Sequence, residues 1–352
     1  MARTTINDIA RISGYSKTSV SFAFNDPGRI SEKARRRILK VAEELGYVPD
    51  PVARNLTTGR HGTIGLLLPE NISVAFLNSH LSQIVQGIGE VCDREHHSLT
   101  LIPPIRESLL EGIRSAAVDG LITLGLEPGM DAVALIRRRH LPFVTIDGRV
   151  GGGFPVVGID DRGAARRAMR HILDLGHRRI AVFSFLDEPR LAAPSQVTQQ
   201  RLAGFAEALS AWGAPISVRY WECESSRSGG AEAMEAVRED QFAPTAIVAM
   251  SDVIAIGVLE ALAQQGVAVP REMSVIGFDD IPEASLVRPR LTTVGQNGFQ
   301  KGYAAADLLM RLIQECEVEH HTVLETRLVV RDSSGAPARA LDPPAGGAAT
   351  PP

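Results

Sequence analysis

Apolar and polar positions follow two different periods along the chain. In the first part, apolar residues such as Ile6, Ile9 and Ile12 recur at helical spacing. From residue 63 onward, short apolar runs of strand length alternate with stretches of helical periodicity. The pattern therefore predicts an all-α head followed by an α/β body.

The head is predicted to contain three short helices. Each begins at a residue whose side chain can cap a helix N-terminus, and these are Thr5, Ser16 and Ser31. Gly14 separates the first two helices, and residues 25–28 (Asn-Asp-Pro-Gly) form a turn after the second. Gly46 ends the third helix, because glycine readily adopts the left-handed conformation of a C-cap. A helix, a glycine-containing turn and a second helix make a helix-turn-helix motif.

The body is predicted to be doubly wound. Its strand-length apolar runs are Ile64–Leu68, Leu99–Ile102, Gly120–Leu124, Phe143–Ile146, Val156–Ile159, Ile180–Phe185, Ala246–Met250 and Val275–Phe278. Strands that are apolar on both faces and separated by helices indicate parallel sheets. About ten such units are more strands than a single sheet usually contains, so the body is expected to form two lobes. The Gly-, Ala- and Pro-rich tail from Ser333 onward is expected to be disordered.

Charge is divided unevenly between head and body. The whole chain carries a formal net charge of −4, but residues 1–60 hold 11 Lys and Arg against 6 Asp and Glu. The remainder holds 26 basic and 35 acidic residues. A basic head on an acidic body indicates that only the head meets a polyanion.

Several functional classes find no support in the sequence. Cys92, Cys223 and Cys316 are too far apart for a metal knuckle or a disulfide framework. The pairs at 96–97 and 320–321 are adjacent histidines that point different ways, so no metal is expected. Nucleophile-elbow and phosphate-loop motifs are missing, so neither an enzyme nor a cofactor is expected. No signal peptide or membrane span is recognisable, so the protein is expected in the cytoplasm, on the nucleoid when bound to DNA.

The start of the second helix has the chemistry of a recognition helix. Ser16, Lys17 and Thr18 can reach phosphates or base edges when the first turn of such a helix enters the major groove. A small bundle of capped helices without DNA-binding activity is the alternative for this pattern.

The ordered motifs resemble the lactose/galactose repressor (LacI/GalR) family. In the head they are Thr5-Ile6-Asn7-Asp8-Ile9-Ala10, Ser16-Lys17-Thr18-Ser19-Val20-Ser21, Asn25-Asp26-Pro27-Gly28-Arg29-Ile30-Ser31, Glu44-Leu45-Gly46-Tyr47-Val48-Pro49 and Ala53-Arg54-Asn55-Leu56. In the body they are Leu175-Gly176-His177-Arg178-Arg179-Ile180, Val275-Ile276-Gly277-Phe278-Asp279-Asp280 and Leu291-Thr292-Thr293-Val294. The resemblance implies two Rossmann-like lobes of the periplasmic-binding-protein type.

The resemblance also implies domain bounds. Residues 1–48 would form the DNA-binding domain, and 49–62 the hinge helix and linker. The N-lobe would comprise about 63–160 and 292–320, and the C-lobe about 161–290 and 321–332. The tail would be 333–352.

A set of DNA-contacting residues follows from the same resemblance. They are Thr5, Ser16, Lys17, Thr18, Ser19, Ser21, Phe22, Asn25, Arg29, Ala53, Asn55 and Leu56. Leu56 would wedge into the minor groove and kink the duplex, although an ordinary linker contact is the alternative. Phe22 stands where many relatives have a guanine-reading Arg, so it would either contact a thymine methyl or simply pack. The operator is then expected to lack the guanine preference there.

The resemblance places an effector between the lobes, at the carboxyl ends of the strands. The candidate residues are Phe76, Asp161, Arg201, Ser251 and Asp279. Asp160 or Asp161 could instead cap a helix, and Arg201 could be a surface residue. Asp252 would cap the next helix and Asp280 would be a turn residue. Val74-Ala75-Phe76-Leu77 replaces the Asn-Pro-Phe-Phe of relatives, which changes the usual sugar-stacking arrangement.

The predicted function is that of a homodimeric repressor that binds double-stranded, pseudo-palindromic operator DNA. A small molecule, expected to be a carbohydrate, would control its affinity, and the helix near Phe76–Val91 would contribute to dimerisation. No membrane partner is expected. The alternative is a solute-binding protein without DNA-binding activity.

Overall fold

The structure is a computed structural model, and it describes residues 4–48, 60–186 and 195–338. The chain divides into two compact units, Met1–Gly62 and Thr63–Pro352. Among the described helices, none combines the length and apolarity needed to cross a bilayer.

The head contains the three helices that the capping residues predict. They are α1 (Ile6–Ser13), α2 (Lys17–Asn25) and α3 (Glu32–Glu44), with a 3₁₀ turn at Pro27–Arg29. The Asp8 carboxylate accepts a hydrogen bond from the Thr5 amide at 3.0 Å, so Asp serves in the capping box in place of Glu. Gly14 has a φ of 78°, the left-handed conformation that its turn requires. The core residues are Ile9, Val20, Ala23, Ile38, Val41 and Ala42.

The first lobe of the body is built on a parallel six-stranded sheet in the order β11-β5-β4-β3-β1-β2. Its strands are β1 (Thr63–Leu67), β2 (Ser98–Ile102), β3 (Gly120–Leu124), β4 (Phe143–Ile146), β5 (Val156–Ile159) and β11 (His321–Leu324). The associated helices are α4 (Ile72–Ala75), α5 (Ser79–Glu95), α6 (Leu109–Ser115), α7 (Asp131–Arg138) and α12 (Gly298–Ile313). Strands such as β3 and β4 are buried along nearly their whole length, as their continuous apolar runs predict.

The second lobe repeats this design with the sheet order β12-β10-β9-β8-β6-β7. Its strands are β6 (Arg179–Phe185), β7 (Ser217–Cys223), β8 (Ala246–Ala249), β9 (Ser274–Asp279), β10 (Thr292–Gln296) and β12 (Thr326–Val329). The helices are α8 (Asp161–Asp174), α9 (Gln196–Ser210), α10 (Arg227–Glu239) and α11 (Asp252–Gln264). All pairings are parallel except that of β12 with β10. The fold class predicted from the sequence is confirmed.

The chain passes between the lobes at three places: after β5, between β10 and α12, and between β11 and β12. Two of these crossings differ from the expected boundaries. The segment 292–296 was expected in the first lobe but pairs with β9 of the second, and 321–324 was expected in the second but pairs with β5 of the first. Apolar periodicity identifies a strand but carries no information about which sheet accepts it.

The beginning of the tail is ordered, which corrects the expected disorder from Ser333 onward. Ser333 is fully buried, and its hydroxyl donates to the carbonyl of Val275 at 2.6 Å. The Gly335 amide donates to Ser274 Oγ at 3.0 Å, and the Gly335 carbonyl lies 2.9 Å from His177 Nε2. A composition rich in Gly, Ala and Pro predicts disorder, because composition alone does not register these hydrogen bonds to the second lobe. Residues 339–352 lie outside the described residues.

Two glycines allow α5 and α12 to pack closely. A Cβ added at Gly87 would overlap the carbonyl oxygen of Phe299, and one added at Gly302 would overlap that of Ile84. The two helix backbones are therefore in direct contact across the first lobe.

Gly87→Ala should destabilise the body by about 1–3 kcal/mol, because the added methyl group must push the helices apart. Gly89 on the same helix is different, since a Cβ added there would meet no atom within 4 Å. Gly89→Ala should be neutral or stabilising by up to about 1 kcal/mol, through higher helix propensity. Urea denaturation followed by circular dichroism measures both, and equal effects would contradict the close packing.

His177 should make the body sensitive to acid. Burial lowers its pKa below 6.5, so the folded state favours the neutral ring. A histidine whose folded pKa is lowered contributes stability above the unfolded pKa of 6.5, and this is lost as pH falls through that value. His177→Gln should therefore show a smaller fall in melting temperature between about pH 7.5 and 5.5 than the wild type. Parallel pH profiles for the two proteins would argue against this role.

Candidate functional site

The exposed start of α2 is the first candidate site. Ser16, Lys17 and Thr18 are exposed, while Val20 and Ala23 on the other face are buried in the core of the head. The Ser16 hydroxyl accepts from the Ser19 amide at 3.1 Å, which caps the helix as predicted. One face of α2 is thus anchored, and the opposite face presents polar side chains to solvent.

The remaining head candidates are arranged around the same helix. Ser21 accepts a hydrogen bond from the Asn25 side chain at 3.3 Å. Phe22 is half-buried, and the Arg29 guanidinium lies over its ring. Thr5 is exposed at the start of α1, where its hydroxyl donates to Asp8 at 2.8 Å. The three hinge candidates, Ala53, Asn55 and Leu56, lie outside the described residues.

A second candidate site lies where strand ends of the two lobes meet. Its best-defined feature is an ion pair in which Arg201 Nε donates to Asp161 Oδ1 at 2.8 Å. Arg201 also donates to the Met250 carbonyl, and its guanidinium carbon lies 3.5 Å from the centroid of the Phe278 ring. Burial raises the pKa of Asp161, and the positive charge of Arg201 opposes that shift.

These contacts decide between the alternatives that the sequence left open. Asp160 caps α8, because its carboxylate accepts from the Gly163 amide at 2.8 Å. Asp161 is therefore free of the capping role and pairs with Arg201. Arg201 is only 3% exposed and is not a surface residue.

A chain of polar side chains connects the two lobes. Lys301 of α12 donates to both carboxylate oxygens of Asp147, at 2.7 and 2.6 Å, and to the side-chain oxygen of Gln296. Gln296, at the end of β10, donates in turn to Asp279 at the end of β9. Asp147 and Lys301 belong to the first lobe, and Gln296 and Asp279 to the second. This chain of side chains is called the interlobe relay below.

Sequence reasoning identified Asp279 but missed the other members of the interlobe relay. Lys301 is fully buried, although it is a lysine within a helix. A lysine amid apolar helix positions was a usable signal, because a buried charge must be paired. Asp147 carried a weaker signal, since it directly follows the buried strand β4.

His80 is a further site residue that the sequence did not reveal. It lies in the first turn of α5 and is 9% exposed, and neither of its ring nitrogens has a hydrogen-bond partner among the described residues. Burial lowers its pKa, which favours the neutral form of the ring. The charged groups that act on its pKa come from both lobes, and they are Asp279, Lys301, Asp147 and Arg201. A neutral imidazole offers one donor and one acceptor to a ligand.

Two helix starts differ from those expected from the sequence, one after Phe76 and one at Ser251. Phe76 follows the short helix α4 and is 36% exposed, whereas the long helix begins only at Ser79. The Ser251 hydroxyl caps α11 by accepting from the Ile254 amide at 3.3 Å. This corrects the assignment of that cap to Asp252. Sequence spacing alone could not separate two neighbouring cap candidates.

Asp252 and Asp280 have structural partners. Asp252 is buried and accepts from Thr293 Oγ1 and from the Ile281 amide. Burial raises the pKa of Asp252 to about 8. Asp280 forms an ion pair with Arg331 at 2.6 Å.

The described residues hold no cluster of His, Cys, Asp or Glu that could bind a metal ion. Cys92 and Cys223 are buried free thiols and Cys316 is exposed.

A helix-turn-helix head and a two-lobed body together define a class of ligand-binding transcriptional regulators. Comparison with known proteins places the chain in the same class. Residues 5–50 match the bacterial regulatory proteins of the lacI family, and residues 169–334 match a periplasmic binding protein-like domain. The regulator Rv3575c of Mycobacterium tuberculosis is 33% identical over 96% of this chain and 98% of its own length. The chain belongs to the LacI family.

Other relatives and solved structures support the same assignment. The regulator IpsA of Corynebacterium glutamicum is 34% identical, covering 92% of this chain and 95% of its own. The repressor CytR of Escherichia coli is 30% identical over 94% of this chain and 96% of its own length. The lac repressor dimer bound to operator and the anti-inducer ONPF superposes with a TM-score of 0.79 at 25% identity, covering 95% of this chain and 100% of that one. The CelR–cellobiose complex superposes with a TM-score of 0.67 at 27% identity, covering 94% of this chain and 100% of that one.

Breaking the buried ion pair between Asp161 and Arg201 should destabilise the fold far more than breaking an exposed ion pair. Asp161→Ala should lower the free energy of unfolding by about 3–5 kcal/mol, because Arg201 is left buried and unpaired. The matched control is Asp332→Ala, which breaks a pair with Arg290 whose side chains are about half exposed. That change should cost at most about 1 kcal/mol. Equilibrium urea denaturation measures both, and similar losses would contradict the role of burial.

Proposed function

We propose that this LacI-family protein is a repressor that binds operator DNA as a homodimer and is controlled by a carbohydrate-like effector bound between its lobes. The observation that carries the proposal is the meeting of buried polar side chains from both lobes. Lys301 and Asp147 come from one lobe, and Gln296 and Asp279 from the other. A ligand that binds here touches both lobes and can favour one arrangement of them.

The chemistry of the cleft suits a ligand rich in hydroxyl groups. Carboxylates and guanidinium groups can make paired hydrogen bonds to neighbouring hydroxyls. His80 adds one donor and one acceptor that have no partner among the described residues. We assign the effector contacts to Phe76, Asp161, Arg201, Ser251 and Asp279, with His80 as an addition. Solved relatives hold cellobiose or ribose, which is consistent with this class of ligand.

The head would bind DNA through the exposed start of α2. Ser16, Lys17 and Thr18 would enter the major groove, where small polar and cationic side chains reach base edges and phosphates. Two heads related by a two-fold axis would recognise a pseudo-palindromic site. The lac repressor bound to its operator as a dimer supports this arrangement.

Effector binding would act on DNA affinity through the lobes. A ligand that binds one lobe arrangement more tightly shifts the protein toward it, and the shift must change the subunit interface and the spacing of the hinge segments. Coupling of about 1–3 kcal/mol changes DNA affinity by roughly 5–150-fold. The cleft would bind its ligand without chemical change, and the protein would act in the cytoplasm.

A thermal-shift screen combined with DNA-binding measurements tests the effector proposal. Ribose, cellobiose and a panel of other neutral sugars and polyols should include compounds that raise the melting temperature, since a ligand that binds the folded state stabilises it. The same compounds should change the affinity for an operator selected from random DNA. A ligand that raises the melting temperature but leaves DNA affinity unchanged would contradict effector control.

A separate prediction concerns the hinge segment. Leu56→Ala should weaken binding to the selected operator, because the duplex loses its apolar wedge, and should leave effector affinity unchanged. Fluorescence anisotropy with labelled operator and calorimetry with the effector measure the two affinities. Equal loss of both would show that the hinge and the cleft are not separate in function.

A further inference from the structure

The contact between Phe22 and Arg29 in the head carries an inference about how DNA is read. The guanidinium carbon of Arg29 lies 5.5 Å from the centroid of the Phe22 ring, and Arg29 Nε lies 2.9 Å from Asp26 Oδ2. A guanidinium this close to an aromatic face is attracted by the ring quadrupole. The Arg29 side chain is therefore held at two points, although 68% of it is exposed.

These contacts bring Arg29 to the candidate DNA-binding face. Phe22 follows Thr18 by one helical turn, so the two side chains are neighbours on the same face of α2. Arg29 belongs to the 3₁₀ turn that follows α2, and its side chain reaches back to that face. A cation at the end of the motif is thereby placed beside the exposed polar start of the helix.

The chemistry of the guanidinium favours a phosphate as its ligand. Asp26 lies against Nε, and within the described residues neither terminal nitrogen of Arg29 donates a hydrogen bond. Two adjacent N–H groups in one plane match two oxygens of a phosphate. The Phe22 ring, 5.5 Å from the guanidinium carbon, restricts the position of that group.

We propose that Arg29 binds a phosphate of the DNA backbone and that Phe22 is a positioning residue that holds its guanidinium. Phe22 then reads no base: its ring is engaged by Arg29, and it acts on DNA only through that side chain. Sequence specificity is left to the start of α2. The proposal goes beyond the assignment of the protein as a repressor, because it separates a backbone contact from base readout within the motif.

A double-mutant cycle on the full-length protein tests the proposal. Random-library selection first provides a site for the wild type, and affinity is then measured for Phe22→Leu, Arg29→Ala and the double variant. Arg29→Ala should weaken binding roughly tenfold or more per head. The slope of log affinity against log salt should become shallower by about 0.9 per head. Phe22→Leu should weaken binding about two- to fivefold in the wild type, and should have no effect once Arg29 is absent.

The same helix offers a matched control. Phe24 packs against Tyr47, with ring centroids 5.6 Å apart, and both lie against the core of the head. Phe24→Leu should lower the melting temperature of the head, and its effect on DNA binding should be the same with and without Arg29. Phe22→Leu should leave the melting temperature nearly unchanged, which separates positioning from folding. Arg29→Lys should keep the wild-type salt dependence of DNA binding. It should recover only part of the affinity that Arg29→Ala loses, because lysine has no planar pair of donors.

Three outcomes would overturn the proposal. Phe22→Leu could change the base selected at any position of the site in both backgrounds, which would make Phe22 a base-reading residue. The salt slope could be unaffected by Arg29→Ala, which would exclude a phosphate contact. The two substitutions could have additive effects, which would show that Phe22 acts independently of Arg29. A wild type without salt-sensitive DNA binding would instead contradict the repressor assignment itself.

Discussion

The buried ammonium group of Lys301 is the constraint on which the organisation of the body depends. A fully buried lysine is tolerated only when its charge is paired and its donors are satisfied. Asp147 supplies the charge and Gln296 supplies an oxygen, and these two residues come from different lobes. Gln296 is also held within its own lobe, because it donates to Asp279, so moving one lobe relative to the other must disturb the buried hydrogen bond between Lys301 and Gln296. A lobe movement that breaks this hydrogen bond without replacing it is costly, because it leaves buried polar groups without a partner.

His80 links this relay to the packing of the first lobe. It lies in the first turn of α5, the helix whose Gly87 allows direct backbone contact with α12, and α12 carries Lys301. A ligand that satisfies the ring nitrogens of His80 would act on α5, and through the close helix pair on the lysine that joins the lobes. Close packing transmits such displacements, because it leaves no space to absorb them. The packing of α5 against α12 thus joins one residue of the candidate ligand site, His80, to the connection between the lobes.

The head depends on contacts of a different kind. Its helices are set by caps and turns that lie within a few residues of each other, as in the hydrogen bonds of Asp8 to Thr5 and of Ser19 to Ser16. A small core around Ile9, Val20 and Ile38 then holds them together. The candidate DNA-contacting side chains of Ser16, Lys17 and Thr18 are exposed and contribute little to this core. Phe22 is half-buried but is not part of this core, so a change at that position need not alter the fold.

Local sequence patterns were enough to predict the three helices of the head, the alternation of strands and helices in the body, and the family. These follow from local periods and caps, which are properties of neighbouring residues. Only the tertiary structure decided which sheet β10 and β11 join, that Ser333 is anchored, and that Asp161 pairs with Arg201 and not with a helix end. Lys301 and His80 became recognisable as site residues only there, because burial and the pairing of a side chain depend on residues far apart in the chain.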